Sequence, residues 1–231
     1  MKTVKKSLLV SLCATAMFYT VPSSVMADGA TYTPPNVDSP ARRVGGGTRG
    51  TAGPIFELNV LAPADHTGHS ADSQPTLYWS VDGALEQPAS FTLVYANPAS
   101  SEMAEPLIED QITVNKSGIQ SIRLSEYDVA LKTGVDYQWS ISVVIDQTHR
   151  SKDIVAGATI RLAETPATLL DSLNTATSFE KPALYASAGF WYNAVDSLSK
   201  LIEAQPDDSS LVVARNELLK QVGLEKVASN N

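Results

Sequence analysis

The chain has 231 residues, with 17 Lys and Arg against 25 Asp and Glu, a formal net charge of -8, and 43% hydrophobic residues. That apolar share excludes a disordered polar tail, the acidic balance argues against a protein that works by neutralising nucleic-acid phosphates, and a single cysteine excludes an internal disulfide framework. The length allows one large domain or two small ones.

Met1 to Ala27 reads as a secretory signal peptide. Lys2, Lys5 and Lys6 form a positive start, Leu8 to Thr20 an apolar stretch, and Val25-Met26-Ala27 a small-x-small cleavage site. The stretch is too short for a permanent span, and no later segment approaches the ~20 apolar residues that one needs. Cleavage before Asp28 removes three lysines and no acid, taking the charge from -8 to -11, and also removes Cys13. Lipidation at Cys13 fits less well, because Leu12 stands where a small residue is wanted. The expected product is periplasmic or secreted.

Residues 28–53 read as a flexible arm, rich in Gly and Pro and almost without aliphatic side chains. Its run from Gly45 to Gly50 spells GxGxxG, yet it lacks the preceding strand and following helix of a dinucleotide site. The run reads first as a solvated basic linker. A second reading gives its free amides, with Arg42, Arg43 and Arg49, a grip on an anion or an acidic partner surface.

From residue 54 to 163 the pattern has period two, interrupted by Gly, Pro, Asn and Asp clusters. Strands are expected over Ile55 to Leu61, Thr76 to Val81, Ser90 to Tyr95, Leu107 to Val114, Ile119 to Leu124, Tyr137 to Asp146 and Ile154 to Leu162. Seven strands at this spacing predict an antiparallel immunoglobulin-like β-sandwich. Trp79 and Trp139 fall on alternating apolar faces and are expected to anchor its core. The run Leu131-Lys132-Thr133-Gly134-Val135-Asp136-Tyr137 resembles the turn entering the sixth strand of fibronectin type III modules. The resemblance implies a tyrosine corner, with the Tyr137 hydroxyl bonded to upstream backbone.

The period becomes helical after Thr165-Pro166, where Thr can cap and Pro can take the first helical position. A short helix is expected around Leu169, Leu170 and Leu173. Three more follow, over about Pro182 to Ala188, Trp191 to Ala204 and Ser209 to Val222, the last capped by Asp208 or Ser209 and stopped at Gly223. Residues 165–224 form this helical domain, and 225–231 is expected to be a disordered tail. The stretch from Tyr185 to Ala194, with Pro206 beyond it, resembles a single tetratricopeptide repeat, although Leu201 departs from the pattern. One repeat cannot bury its own core, so the helices are expected to dock on the sandwich or on one another. Phe190, Trp191 and Tyr192 are candidates for that docking contact or for an exposed partner site.

These parts together resemble a bacterial family known as domain of unknown function 928. The residues that carry the likeness are the signal peptide, Arg43 to Gly50, Pro75-Thr76-Leu77-Tyr78-Trp79, Gly134 to Trp139, and Gly189-Phe190-Trp191-Tyr192-Asn193-Ala194. The resemblance implies an α+β fold, a periplasmic setting and companionship with membrane-bound sensor proteins. It carries over no catalytic residue.

After cleavage only His66, His69 and His149 remain as histidines, with no cysteine, GxSxG elbow, HExxH or P-loop. The one polar cluster is Asp65-His66-Thr67-Gly68-His69 with Asp72 nearby, and Asp65, His66 and His69 are the candidate ligands for a transition metal. No enzyme activity and no cofactor are expected. The favoured reading is a protein-binding accessory protein, with a sensor ectodomain as one candidate partner. The alternative is a small-ligand or metal-binding accessory protein using loops at the sandwich end, and a hydrolase with paired carboxylates comes third.

Overall fold

The computed structural model describes residues 29–35, 43–44, 56–83, 88–100, 102–114, 116–146 and 148–230. The signal peptide, the Gly45 to Gly50 run, Arg42 and Arg49 lie outside the described residues.

Among the described residues, eight strands precede five α-helices. The strands are β1 (Leu58–Val60), β2 (Gly68–Ser70), β3 (Thr76–Val81), β4 (Ala89–Tyr95), β5 (Ile108–Ile112), β6 (Gly118–Arg123), β7 (Asp136–Val143) and β8 (Ile154–Leu162). They form a three-stranded sheet, β1-β3-β6, and a five-stranded sheet, β2-β8-β7-β4-β5. Every pairing is antiparallel except β2 with β8. This is an α+β chain with a two-sheet sandwich, antiparallel but for β2, followed by helices, as the change of period predicts. In β7 the buried residues Tyr137, Trp139, Ile141 and Val143 alternate with Gln138, Ser140 and Ser142, so period two fixes which face is core. Across the β7 and β8 register, Arg161 forks onto Asp136 through Nε to Oδ1 at 2.6 Å and Nη2 to Oδ2 at 2.7 Å.

The fibronectin-like turn holds as its residues imply. The Lys132 N–H donates to the Tyr137 hydroxyl oxygen at 3.0 Å, and Tyr137 is fully buried. Trp79 and Trp139 are both core residues.

One strand escaped the sequence reading. The chain leaves the first sheet after β1, crosses at Leu61 to Thr67, and joins the second sheet as β2. Gly68-His69-Ser70 has no apolar alternation to reveal it. It pairs with β8, and Tyr192 packs so closely on it that a Cβ at Gly68 would stand 2.6 Å from Cε2 of that ring.

The helices are α1 (Ala167–Thr175), α2 (Lys181–Ser187), α3 (Trp191–Ala204), α4 (Ser209–Lys220) and α5 (Glu225–Ser229). Pro166 stands at the N-cap of α1, with no side-chain cap bond, so Thr165 does not cap it. Asp208 caps α4 by accepting from the Ser210 N–H. Gly223, with φ 72°, ends that stretch in the left-handed conformation that glycine adopts without a Cβ penalty. The expected disordered tail is corrected here: Val227 and Ala228 of α5 are buried, and that apolar anchorage is why Glu225–Ser229 is helical. The expected flexible arm is corrected as well for its described parts. Ala30 and Tyr32 are buried, and Val44 forms a bridge with Gly157 of β8 through a reciprocal pair of hydrogen bonds. Sandwich and helices share a single hydrophobic core.

Candidate functional site

The α2–α3 hairpin meets the sandwich where the chain crosses between sheets, and the aromatic triplet makes that joint. Trp191 donates from its indole N–H to the Leu61 carbonyl at 2.8 Å, and the Trp139 indole donates to the Tyr192 hydroxyl at 2.9 Å. Phe190, Trp191 and Tyr192 are 3%, 0% and 2% exposed. They are therefore not a partner surface. An amphipathic helix pair too small to enclose its own core buries these rings against the strands. Burial also raises the Tyr192 hydroxyl above its ordinary pKa.

Arg43 is likewise turned inward. Its guanidinium donates to the carbonyls of Ala62 (2.8 Å), Val222 (3.1 Å) and Gly223 (2.8 Å), tying the arm to the β1–β2 crossing and to the end of α4. Desolvation lowers its pKa from the usual guanidinium value.

The Asp65, His66 and His69 cluster is not a preassembled metal set. Among the described residues, no group of three or more His, Cys, Asp and Glu side chains is placed to hold a metal ion. His66 is already engaged on both ring nitrogens, Nδ1 with Asp65 at 2.8 Å and Nε2 with the Tyr32 hydroxyl at 2.8 Å. His69 lies on β2 with its ring 6.5 Å from that of Phe190. Burial, followed by the Arg161 charge, holds the His69 pKa below that of a free imidazole.

The chain Asp65–His66–Tyr32 has the order of a carboxylate, a base and a hydroxyl. Its electrostatics oppose nucleophilic use, because burial, with the nearby Tyr192 and Asp65, pushes the Tyr32 phenol above its ordinary pKa. The second such cluster, Asp146 with Thr148, His149 and Lys152, lies largely on the surface. Its hydrogen bonds, first from the Thr148 hydroxyl, hold the Asp146 carboxyl well below the usual range, so it is a stable anion at neutral pH.

Among the described residues, one hollow open to a ligand is a groove of about 390 Å³ between the β2–β3 connection, α2 and α3. Asn193, Asp196 and Lys200 stand at i, i+3 and i+7 on one face of α3. Asn193 accepts from the Ala71 N–H (2.8 Å) and donates to Asp72 (2.9 Å), which fixes the loop against the helix. The Tyr78 hydroxyl of β3 donates to Asp196 at 3.0 Å, and Lys200 pairs with the other Asp196 oxygen at 2.7 Å. Burial and then the Asp196 charge raise the Tyr78 pKa. Lys181 and Tyr185 of α2 complete the groove. Burial, then the charges of Asp72 and Asp196, raise the Tyr185 phenol. A hollow of about 430 Å³ at the other end of the first sheet also holds an ion pair, Lys226 with Glu57 at 2.6 Å.

The sequence reading passed over Asp72 as a bystander, took Tyr185 only as the start of the repeat-like stretch, and passed over Lys181, Asp196 and Lys200 entirely. The spacing of Asn193, Asp196 and Lys200 on a helix was the available signal. Its pairing with a loop some 120 residues earlier was not.

Fold and site together define a β-sandwich protein with a docked helical hairpin and a mixed-charge groove at their joint. The chain belongs to the family described as Domain of Unknown Function (DUF928), whose model matches residues 44–231. The match takes in all eight strands and all five helices, and the segment 29–35 precedes it. No curated protein matches the chain.

Proposed function

We propose that this is an exported, non-enzymatic accessory protein whose groove between sandwich and helices binds a protein partner on the outer side of the cytoplasmic membrane. The observation that carries the reading is the groove itself. Exposed Lys200 and half-buried Lys181 stand beside Asp72 and Asp196 and the Tyr185 ring, with the loop tied to α3 by the part-buried Ala71–Asn193 bond and β3 tied to α3 by the buried Tyr78–Asp196 bond. Paired charges of both signs over an aromatic wall suit the side chains and backbone of a protein segment, where complementarity sets specificity and register. Export rests on the Met1 to Ala27 signal pattern. Among the described residues no helix is long and apolar enough to cross a membrane. The first partner to test is a membrane-sensor ectodomain, the class that the family resemblance implies.

The test is site-specific crosslinking in periplasm from a photoreactive residue at Ser197, in the groove, with Glu109 on β5 as control. One discrete adduct from Ser197 alone, lost in the Lys181→Glu/Lys200→Glu variant, supports the reading. Equal adducts from both positions, or none from Ser197 in folded protein, overturn it.

A further inference from the structure

Residues 29–35 form a strap, neither helix nor strand, across a groove separate from the one above. The Gln221 side chain at the end of α4 accepts from the Tyr32 N–H at 2.8 Å and donates to the Ala30 carbonyl at 2.8 Å. The Thr33 N–H donates to the Ala186 carbonyl of α2 at 3.1 Å. These three bonds go to the strap's main chain, so any segment of the same backbone shape would make them.

The buried side chains of the strap are Ala30 and Tyr32. Tyr32 enters a pocket with its ring near-parallel to His66 (13°), edge-on to Trp191 at 5.0 Å between centroids, and its hydroxyl on His66 Nε2. At the far end the strap lies against Gly189, where a Cβ would stand 3.1 Å from the Thr33 carbonyl oxygen. Glycine at that turn leaves room for a chain to pass. The groove residues His66, Ala186, Gly189, Trp191 and Gln221 all fall inside the family match, and the strap falls outside it.

We propose that this groove is a binding site for a peptide segment carrying a tyrosine, and that the strap fills it in cis until a partner's segment displaces it. A tethered segment competes at an effective concentration in the millimolar range, so the site is hidden from weak ligands in the intact chain. This inference does not use the lysines of the polar groove, and it stands or falls independently of the partner proposed there.

The test uses the secreted chain beginning at Asp28 and a fluorescent peptide reproducing residues 28–35, read by anisotropy. Folding is checked by circular dichroism. Tyr32→Ala, which frees the pocket, is expected to bind the peptide saturably and at least about tenfold tighter than wild type, as release from a tethered competitor requires. Adding Gln221→Ala is expected to weaken that binding about tenfold, equivalent to losing ~1.4 kcal/mol, and a peptide with Ala in place of its Tyr is expected not to bind. Should Tyr32→Ala unfold, Thr33→Pro removes the donor to Ala186, fixes φ at that position and restricts the backbone of Tyr32, and serves as the released form. Folded variants that bind no peptide, or binding equal to wild type, overturn the proposal. A concentration-dependent wild-type dimer that Tyr32→Ala abolishes also overturns it, because the segment then comes from a second copy.

Discussion

The indole N–H of Trp139, on β7, donates to the hydroxyl of Tyr192, on α3, at 2.9 Å, with both residues buried. This bond joins the middle of the sandwich to the first turn of the longest helix. Tyr192→Phe removes the acceptor and leaves a buried donor unmet. We expect a loss of about 1–3 kcal/mol in urea unfolding with the fold retained. An unchanged midpoint would mean that the indole is satisfied elsewhere.

Trp191→Ala tests the same joint by volume. The ring is fully buried and its N–H holds the Leu61 carbonyl at the β1–β2 crossing. Truncation should cost ~3–5 kcal/mol. The purified variant should show a single cooperative transition at lower denaturant concentration, because both modules share one core.

Arg43 distinguishes charge from geometry. Its fork reaches three carbonyls that a lysine ammonium cannot satisfy together. Arg43→Lys should therefore lose nearly as much as Arg43→Ala, about 1.5–3 kcal/mol by thermal or urea unfolding. Full rescue by lysine would show that charge alone matters.

Acid stability follows from His69. Its folded pKa is below the unfolded value of about 6.5, so below that pH the unfolded chain takes up the proton first. Stability conferred by the neutral, half-buried ring is complete above about pH 6.5 and is lost as pH falls towards the depressed folded value. Wild-type Tm should drop between pH 7 and 5, and His69→Gln should flatten that part of the curve.

The tyrosine corner gives a local test. Tyr137→Phe leaves the Lys132 N–H without its acceptor. The expected loss is about 1–3 kcal/mol. Amide exchange at Lys132 should quicken more than exchange at Trp139 in mid-strand.

The sequence by itself determined the local order of this protein. Alternation in Tyr137, Trp139, Ile141 and Val143 and the i, i+3, i+6, i+7 repeat of Val195, Leu198, Leu201 and Ile202 dictate strand and helix, because a regular backbone presents its side chains at a fixed period. The cap at Asp208, the stop at Gly223 and the corner at Tyr137 were legible for the same reason, since each is made by neighbours in the chain. The tertiary structure alone decided which faces met. Composition marks Phe190-Trp191-Tyr192 as a sticky patch, and only the crossing of the chain between sheets makes it an internal joint. Residues 28–53 lack apolar bulk, yet Ala30, Tyr32 and Arg43 find partners 150 or more residues away. The His66 imidazole looks like a ligand in a linear reading, and a tyrosine from the strap and its neighbour Asp65 occupy both nitrogens. Contacts between residues far apart in the chain carry no local period, so such sites become visible only once the chain has closed on itself.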